Sequence, residues 1–492
     1  MSKDIYFSIL IKDADGGSKG VAIDIPPEAD RLPGYRIKEL TEAARTMPLA
    51  DGERLRTEIL VASPAGIAVR PIADYLWGDG NLNGSRLVRH LMDYREGRKP
   101  HIFLPRVGMT VVMAEEFIGR EAVLAELEKH VADGRSCHLR APRRYGKSSL
   151  LGRIKAKQEK AVALELSDIG TLPGFLKTLL RASLRHEAAR SCLDKLPAYR
   201  SWPLVSDPAT FAQVFNETFD GLAKRHDGKF SALLRDTLAA LADDGIKLLI
   251  DEFSLFLREM NDSNQAELQA FLEMFHKLRI REAHPLAVIF AGSAGLSTYI
   301  ELYGMRAMFA DIISVDVPPI KAGEARLLAE ELFYGMGKLP TVSAIERLVK
   351  LTGDDETVPY FVQALASYTA EQAGRTPQID EKDVEPAYYD RLLGPQGNVC
   401  FRDFILRERT YPGDYRSSAS PILKQLSRAA PSVIADEELQ GLCKEGCDFE
   451  KLMTCLEEDY DLVRTEKGWR MRSRVIADRW RLGEPWLTMG GK

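Results

Sequence analysis

Five short apolar runs, separated by stretches of helical pattern, constrain this chain more than any other feature. They read SCHLRA, AVALELSD, KLLIDEF, LAVIFAGS and DIISVDV, all between about residues 113 and 320. Runs of this kind suit strands buried on both faces, and strands that alternate with helices build a parallel sheet. The longest connection, residues 169–245, is expected to hold two core-facing helices, GFLKTLLRASLRHEA and ATFAQVFNETFDGLAKR. Their apolar residues recur at three and four, as burial of one helical face requires.

The first strand runs into HLRAPRRYGKSSL, residues 138–150, and on into the helix-patterned SSLLGRIKAKQEK. Strand, loop and helix in that order, with GK[ST] at the helix start, are what a phosphate-binding loop requires. The loop amides and the helix N-terminus would point at a β-phosphate, and Lys147 would bridge β and γ oxygens. The Ser148 hydroxyl would ligate Mg²⁺. The expected cradle is therefore Ala141, Pro142, Arg143, Arg144, Tyr145, Gly146, Lys147, Ser148 and Ser149. One departure is plain: Ala141 occupies the place of the first glycine in GxxxxGK[ST]. A glycine there gives conformational freedom and no ligand group, so alanine matters only if its φ must be positive. GK[ST] after a loop also arises by chance, and the loop needs a second element beside it.

IKLLIDEF, residues 246–253, supplies that element. The strand ends in Asp251, placed to hold the metal, and Glu252, placed to polarise an attacking water. An adjacent carboxylate pair also caps helices, and SLFLREM is a helix this pair could cap. A third strand, LAVIFAGSAG, ends in Ser293, which either contacts the γ-phosphate or the water, or caps the next turn. No NKxD or TKxD guanine-reading motif occurs, which favours ATP over GTP.

FIGRE at residues 117–121, APRRYGKSSL, LLIDEF, AGSAG, ELYGMR at residues 301–306 and VPPIKAGEARLLAEELF follow one another in an order with a precedent. The set resembles the STAND-class P-loop ATPases, in particular their archaeal-type ATPase branch, over about residues 113–482. The resemblance implies an α/β P-loop NTPase core, AAA-like and with a five-stranded parallel sheet, followed by a helical lid and a C-terminal winged helix. It implies that the segment with Phe117, Gly119 and Arg120 packs by the adenine, that Arg306 senses γ-phosphate charge, and that Pro359 touches the base from the lid. An arginine near the γ-phosphate is chemically reasonable because charge accumulates there. Arg306 reads equally well as a surface ion pair, and Arg143 and Arg144 compete for its role. Ala141 is one departure from the family pattern; Met305 in place of a common arginine, and the acidic Asp354, Asp355 and Glu356 before Pro359, are the others.

The flanking parts are simpler. Residues 1–112 begin with the runs IYFSILI, GVAIDI and EILVAS and a helix-patterned GSRLVRHLMDYREG, a small α/β module without a catalytic constellation. Residues 321–395 carry three amphipathic helical patterns, expected to form the lid. Residues 396–492 read as a winged helix, with SPILKQLSRAAP, DEELQGLCKEG and DFEKLMTCLEED as helices and YDLVRTEKGWRMRS as the hairpin. Its would-be recognition helix holds Asp448, Glu450, Glu457, Glu458 and Asp459 against one Lys451, poor material for a phosphate-lined groove. The hairpin and the residues after it are more basic, with Arg464, Lys467, Arg470, Arg472, Arg474, Arg479 and Arg481.

A net charge of −5 means that nucleic-acid binding would need such a local patch. No run of apolar residues is long enough to span a bilayer, and MSKDIYFSILIKDADGG lacks the pattern of a cleaved signal, so the cytoplasm is the expected address. Cys443, Cys447 and Cys455 cluster without a CxxC knuckle, and no histidine follows Cys400, so the six cysteines read as reduced thiols. Three functions fit: an ATP-driven signalling switch that assembles on ATP and meets a protein partner, in stress or phage defence for instance; a DNA-associated ATPase; or a scaffold that binds nucleotide without turnover.

Overall fold

Alternating runs near the start of the chain pair as an antiparallel sheet in the order β2-β1-β3-β4, built from β1 (Ile5–Lys12), β2 (Ser18–Ile25), β3 (Glu58–Ser63) and β4 (Gly66–Pro71). The computed structural model describes residues 5–12, 18–25, 58–63, 66–95, 98, 100–107, 117–200, 202, 207–226, 230–292, 296–408, 411, 413–460 and 462–482. The chain divides into two units. One comprises Met1–Val107, Lys321–Thr357 and Phe361–Cys400; the other comprises Gly108–Ile320, Val358–Tyr360 and Phe401–Lys492.

In the first unit, the N-terminal helix Gly84–Arg95 is tied to the helix Ala322–Gly335 by a largely buried polar network. Arg86 and Arg89 both bond the Glu331 carboxylate. The Asn83 amide donates to Glu330 and to the Tyr334 hydroxyl, each at 3.3 Å, and the Arg86 guanidinium lies 4.2 Å from the Tyr334 ring centroid. A buried carboxylate is tolerable only with such charge-assisted partners. Gly335 marks a close approach: a Cβ there would lie 1.7 Å from the Phe103 carbonyl oxygen. The acidic run 354–356 forms a single tight turn, and Asp355 accepts the Ala322 backbone N–H at 3.1 Å, at the start of the earlier helix Ala322–Gly335. Helices Val342–Thr352 and Pro359–Gln372 come next, the latter starting in the second unit and continuing in the first.

The second unit holds the five apolar runs as β5 (Cys137–Arg140), β6 (Ala161–Glu165), β7 (Lys247–Asp251), β8 (Val288–Phe290) and β9 (Ile313–Asp316). All pairs are parallel, in the order β6-β7-β8-β5-β9. This order inserts β8 between β5 and β7, so the ends of β5 and β7 flank one strand at the carboxyl edge, where open α/β sheets bind ligands. Phe175, Phe253, Phe256, Phe271, Phe275 and Phe290 form the aromatic centre of the core and are fully buried. The helix expected over GFLKTLLRASLRHEA divides into Leu172–Ser183 and Glu187–Leu193, because His186 leaves the helical conformation and its Nδ1 accepts the Ala189 N–H at 3.3 Å.

The C-terminal part of this unit comprises helices Gly413–Ala429, Asp436–Gln440, Phe449–Tyr460 and Arg474–Arg481 and the hairpin of Leu462–Thr465 with Gly468–Met471. Ile434 extends the hairpin by bridging Trp469. The pattern DEELQGLCKEG is helical only at its start; beyond Gln440 the backbone turns, with Cys447 N–H donating to Lys444 O. Phe449–Tyr460 packs beside the helix Leu296–Leu302 of the sheet domain. Among the described residues, no helix is long and apolar enough to cross a membrane.

Candidate nucleotide site

The loop of residues 141–146 leaves β5 at the carboxyl edge of the sheet and enters the helix Lys147–Lys157 through Gly146. Gly146 has φ 88° and a Cβ there would meet nothing within 4 Å, so left-handed backbone, not space, calls for glycine. Ala141 is buried and is not among the residues at positive φ. Its replacement of glycine therefore costs no backbone strain. Arg144 does carry a left-handed φ of 71°, a conformation that costs an L-residue about 1–2 kcal/mol. Strain of this kind persists where surrounding structure over-determines it, and it clusters at ligand-binding loops. Tyr145 is fully buried and anchors the loop, with Pro142 and Ser149 also buried and Arg143 half-buried.

Lys147 is 7% exposed, and its ammonium donates to the carbonyls of Ala141 at 2.5 Å and Pro142 at 2.9 Å. The lysine is thus curled over the loop that it would share with a phosphate. Beside it on β5, His138 is buried and its pKa is pushed down to about 3, by burial first and then by Lys147 and Arg140. A neutral imidazole leaves Lys147 and Arg140 as the cations around it.

Ser148, at the second position of the helix, lies within electrostatic reach of the Asp251 carboxylate at the end of β7, the strand on which this helix packs. Burial raises the Asp251 pKa, opposed chiefly by the Ser148 hydroxyl; the neighbouring Glu252 charge raises it further, while the Glu252 backbone N–H and Lys147 lower it. The Glu252 N–H donates to Asp251 Oδ1 at 3.0 Å. Glu252 itself has φ 57° and ψ 29°, is half-buried, and makes no side-chain cap to the helix Phe253–Arg279 that it precedes. The capping role open to this carboxylate pair on sequence grounds is therefore not one Glu252 performs. Two hard oxygen ligands, a carboxylate and a hydroxyl, meet next to a lysine, and this donor set suits Mg²⁺.

The remaining expected residues are spread along the second unit. Phe117 is half-buried, and Gly119 and Arg120 take consecutive left-handed conformations, φ 75° and 69°, before the helix Glu121–Ala132. That helix packs on β5 and on the helix Lys147–Lys157. Arg306 is exposed and opens the single turn Arg306–Phe309, behind a buried Met305. Ser293 lies outside the described residues. Pro359 begins its helix, and the next residue, Tyr360, is buried with its ring centroid 4.2 Å from the Arg144 guanidinium. No sequence signal pointed to Tyr360, because it lies more than 200 positions from the loop it meets.

No protein-family model matches the sequence, and no curated relative matches it. Solved structures are similar to it to different degrees. A Walker-type ATPase of Pyrococcus abyssi is similar at a TM-score of 0.51 and 14% identity, over 76% of this chain and 98% of that one. The RuvB Holliday junction branch migration motor of Thermotoga maritima aligns at a TM-score of 0.37 and 14% identity, over 73% of this chain and 94% of that one. The ORC1 protein of Aeropyrum pernix, solved in complex with DNA, aligns at 0.33 and 12% identity, over 78% of this chain and 98% of that one. The first of these, with the five-stranded parallel sheet, makes the fold an α/β P-loop NTPase core with helical regions.

Proposed function

We propose that the chain binds ATP with Mg²⁺, hydrolyses it slowly, and uses the change of nucleotide state as a STAND-like molecular switch. The observation that carries this reading is the meeting of Ser148, at the start of the loop helix, with the strand-end carboxylate of Asp251, beside a Lys147 that is curled onto the loop carbonyls. Ser148 and Asp251 would hold Mg²⁺, which when bound supplies charge neutralisation at the phosphates. The loop amides and the N-terminus of the helix Lys147–Lys157 bind the phosphate chain. Lys147 exchanges its two loop carbonyls for phosphate oxygens. Glu252 accepts the proton of the attacking water, a role worth roughly 10²–10⁴-fold in rate. Arg306 or Arg143 stabilises γ-phosphate charge, Ser293 orients the water or the γ-phosphate, and Phe117, Gly119, Arg120 and Pro359 surround the base.

Residues 321–395 act as the lid in this reading, and assembly of several copies on ATP, with an as yet unidentified protein partner, is the output. The helices and hairpin of the C-terminal part suit a winged helix. Contact with duplex DNA has weaker support, because most of the basic residues that would make it are already engaged. Arg464 pairs with Asp436 and Glu450, Arg474 with Asp478, and Arg481 with Asp478 and the Ser427 carbonyl; Arg479 is buried against Phe401. The acidic helix Phe449–Tyr460 instead packs against the sheet domain, with Glu457 within electrostatic reach of Arg140 and Asp316. Six free thiols suit a reducing, cytoplasmic setting.

Size-exclusion chromatography with light scattering, run without nucleotide, with ADP and with a non-hydrolysable ATP analogue, tests the switch. An elution position identical in all three states would refute it. Phosphate release by Lys147→Ala at the wild-type rate would refute the site.

A further inference from the structure

We infer that Arg144 is a positioning residue that couples the phosphate loop to the lid through Tyr360, and that it is not a ligand of the γ-phosphate. Two observations converge. Arg144 holds a left-handed backbone, φ 71°, one position before the buried Tyr145 and two before Gly146, also left-handed at φ 88°. This conformation aims the guanidinium at the Tyr360 ring, 4.2 Å from its centroid, where a cation and an aromatic face attract one another. Tyr360 is the second residue of the helix Pro359–Gln372 and is itself buried. The second observation is where the units divide. Val358–Tyr360 belongs with the loop and the sheet, whereas the same helix from Phe361 onward belongs with the other unit.

A straight helix transmits any tilt of its first turn to its last. The first turn of this one is held by a residue of the phosphate loop, so a loop that changes its backbone on taking up phosphate must carry the helix with it or break the stack. A ligand shifts a conformational equilibrium only through contacts that differ between the two states, and the Arg144–Tyr360 stack supplies such a difference to the lid without touching nucleotide. This rests on the reading of the loop as a nucleotide site. It also resolves the competition between the two loop arginines by assigning Arg144 to the lid.

The test uses the full chain and hydrogen–deuterium exchange of peptides covering residues 361–372, in ADP–Mg²⁺ and in AMP-PNP–Mg²⁺, together with the affinity for each nucleotide. In the wild type and in Tyr360→Phe, which keeps the ring, protection in this helix should differ between the two nucleotides. In Tyr360→Leu and Arg144→Lys that difference should shrink roughly three- to thirty-fold, the worth of one such stack, and in Tyr360→Leu nucleotide affinity stays within about threefold. Tyr360→Leu retaining the full difference overturns the inference. So does Arg144→Lys weakening AMP-PNP binding tenfold or more while Tyr360→Leu changes nothing, since that pattern belongs to a phosphate ligand. Should Tyr360→Leu fail to fold, Arg144→Lys decides alone: full retention of the difference overturns the coupling. Lys147→Ala binding both nucleotides normally would refute the nucleotide site itself, a result separable from loss of coupling at an intact site.

Discussion

Replacing Glu252 with glycine separates the chemistry of this residue from the conformation it is forced to adopt. Glu252 holds φ 57° and ψ 29° between Asp251 and the helix Phe253–Arg279. A left-handed L-residue costs about 1–2 kcal/mol, and glycine relieves it at the expense of about 0.5–1 kcal/mol of extra chain entropy. No side-chain cap is lost, and the Glu252 backbone N–H keeps its bond to Asp251 Oδ1. The net expectation for Glu252→Gly is therefore a gain of roughly 0.5–1 kcal/mol in the stability of the second unit. Glu252→Gln, with the same backbone and shape, should stay within about 0.5 kcal/mol of the wild type. Both should lose hydrolysis by roughly 10²–10⁴-fold while retaining nucleotide binding. Urea unfolding followed by tryptophan fluorescence, with phosphate release on the same preparations, measures both quantities. Glu252→Gly that is less stable than Glu252→Gln refutes the strain; either variant turning over at the wild-type rate refutes the chemistry.

Other perturbations have defined outcomes. Lys147→Ala removes two short bonds to the Ala141 and Pro142 carbonyls, so the nucleotide-free protein should lose about 1.5–3 kcal/mol by denaturant titration besides losing ATP binding. Asp251→Asn should raise thermal stability at neutral pH in the absence of Mg²⁺ and nucleotide. Its folded pKa is raised by burial, so the stability this carboxyl contributes is present below about pH 3.9 and is lost as pH rises through the folded value. Melting curves of the two proteins should accordingly converge on acidification, and divergence would contradict the assigned environment. Glu331→Ala leaves Arg86 buried without its carboxylate partner and should destabilise the first unit by about 3–5 kcal/mol in urea titrations, with proteolysis of the helix Gly84–Arg95 becoming rapid.

Most of the sheet domain was legible because its signals are local. Each of the five apolar runs became a strand, and the loop between SCHLRA and SSLLGRIKAKQEK fell between a strand and a helix as the motif demands. Asp251 ended its strand for the same reason: an apolar run stops where the chain must leave the interior. The break at His186 was not legible, because helical periodicity continues across it and only a side-chain cap marks the turn. Nor was the engagement of Arg464, whose acidic partners Asp436 and Glu450 come from other elements.

Local pattern, then, determined the strands, the order of strand, loop and helix, and the chemical types gathered at the carboxyl edge of the sheet. Tertiary structure decided that Ala141 needs no glycine, that Glu252 and Arg144 are held in left-handed backbone, and that Arg144 meets Tyr360. The reason is physical: hydrophobic periodicity is written over a few consecutive residues, whereas a backbone angle held against its own preference, or a contact across more than 200 positions, exists only once the rest of the fold supplies the force that holds it.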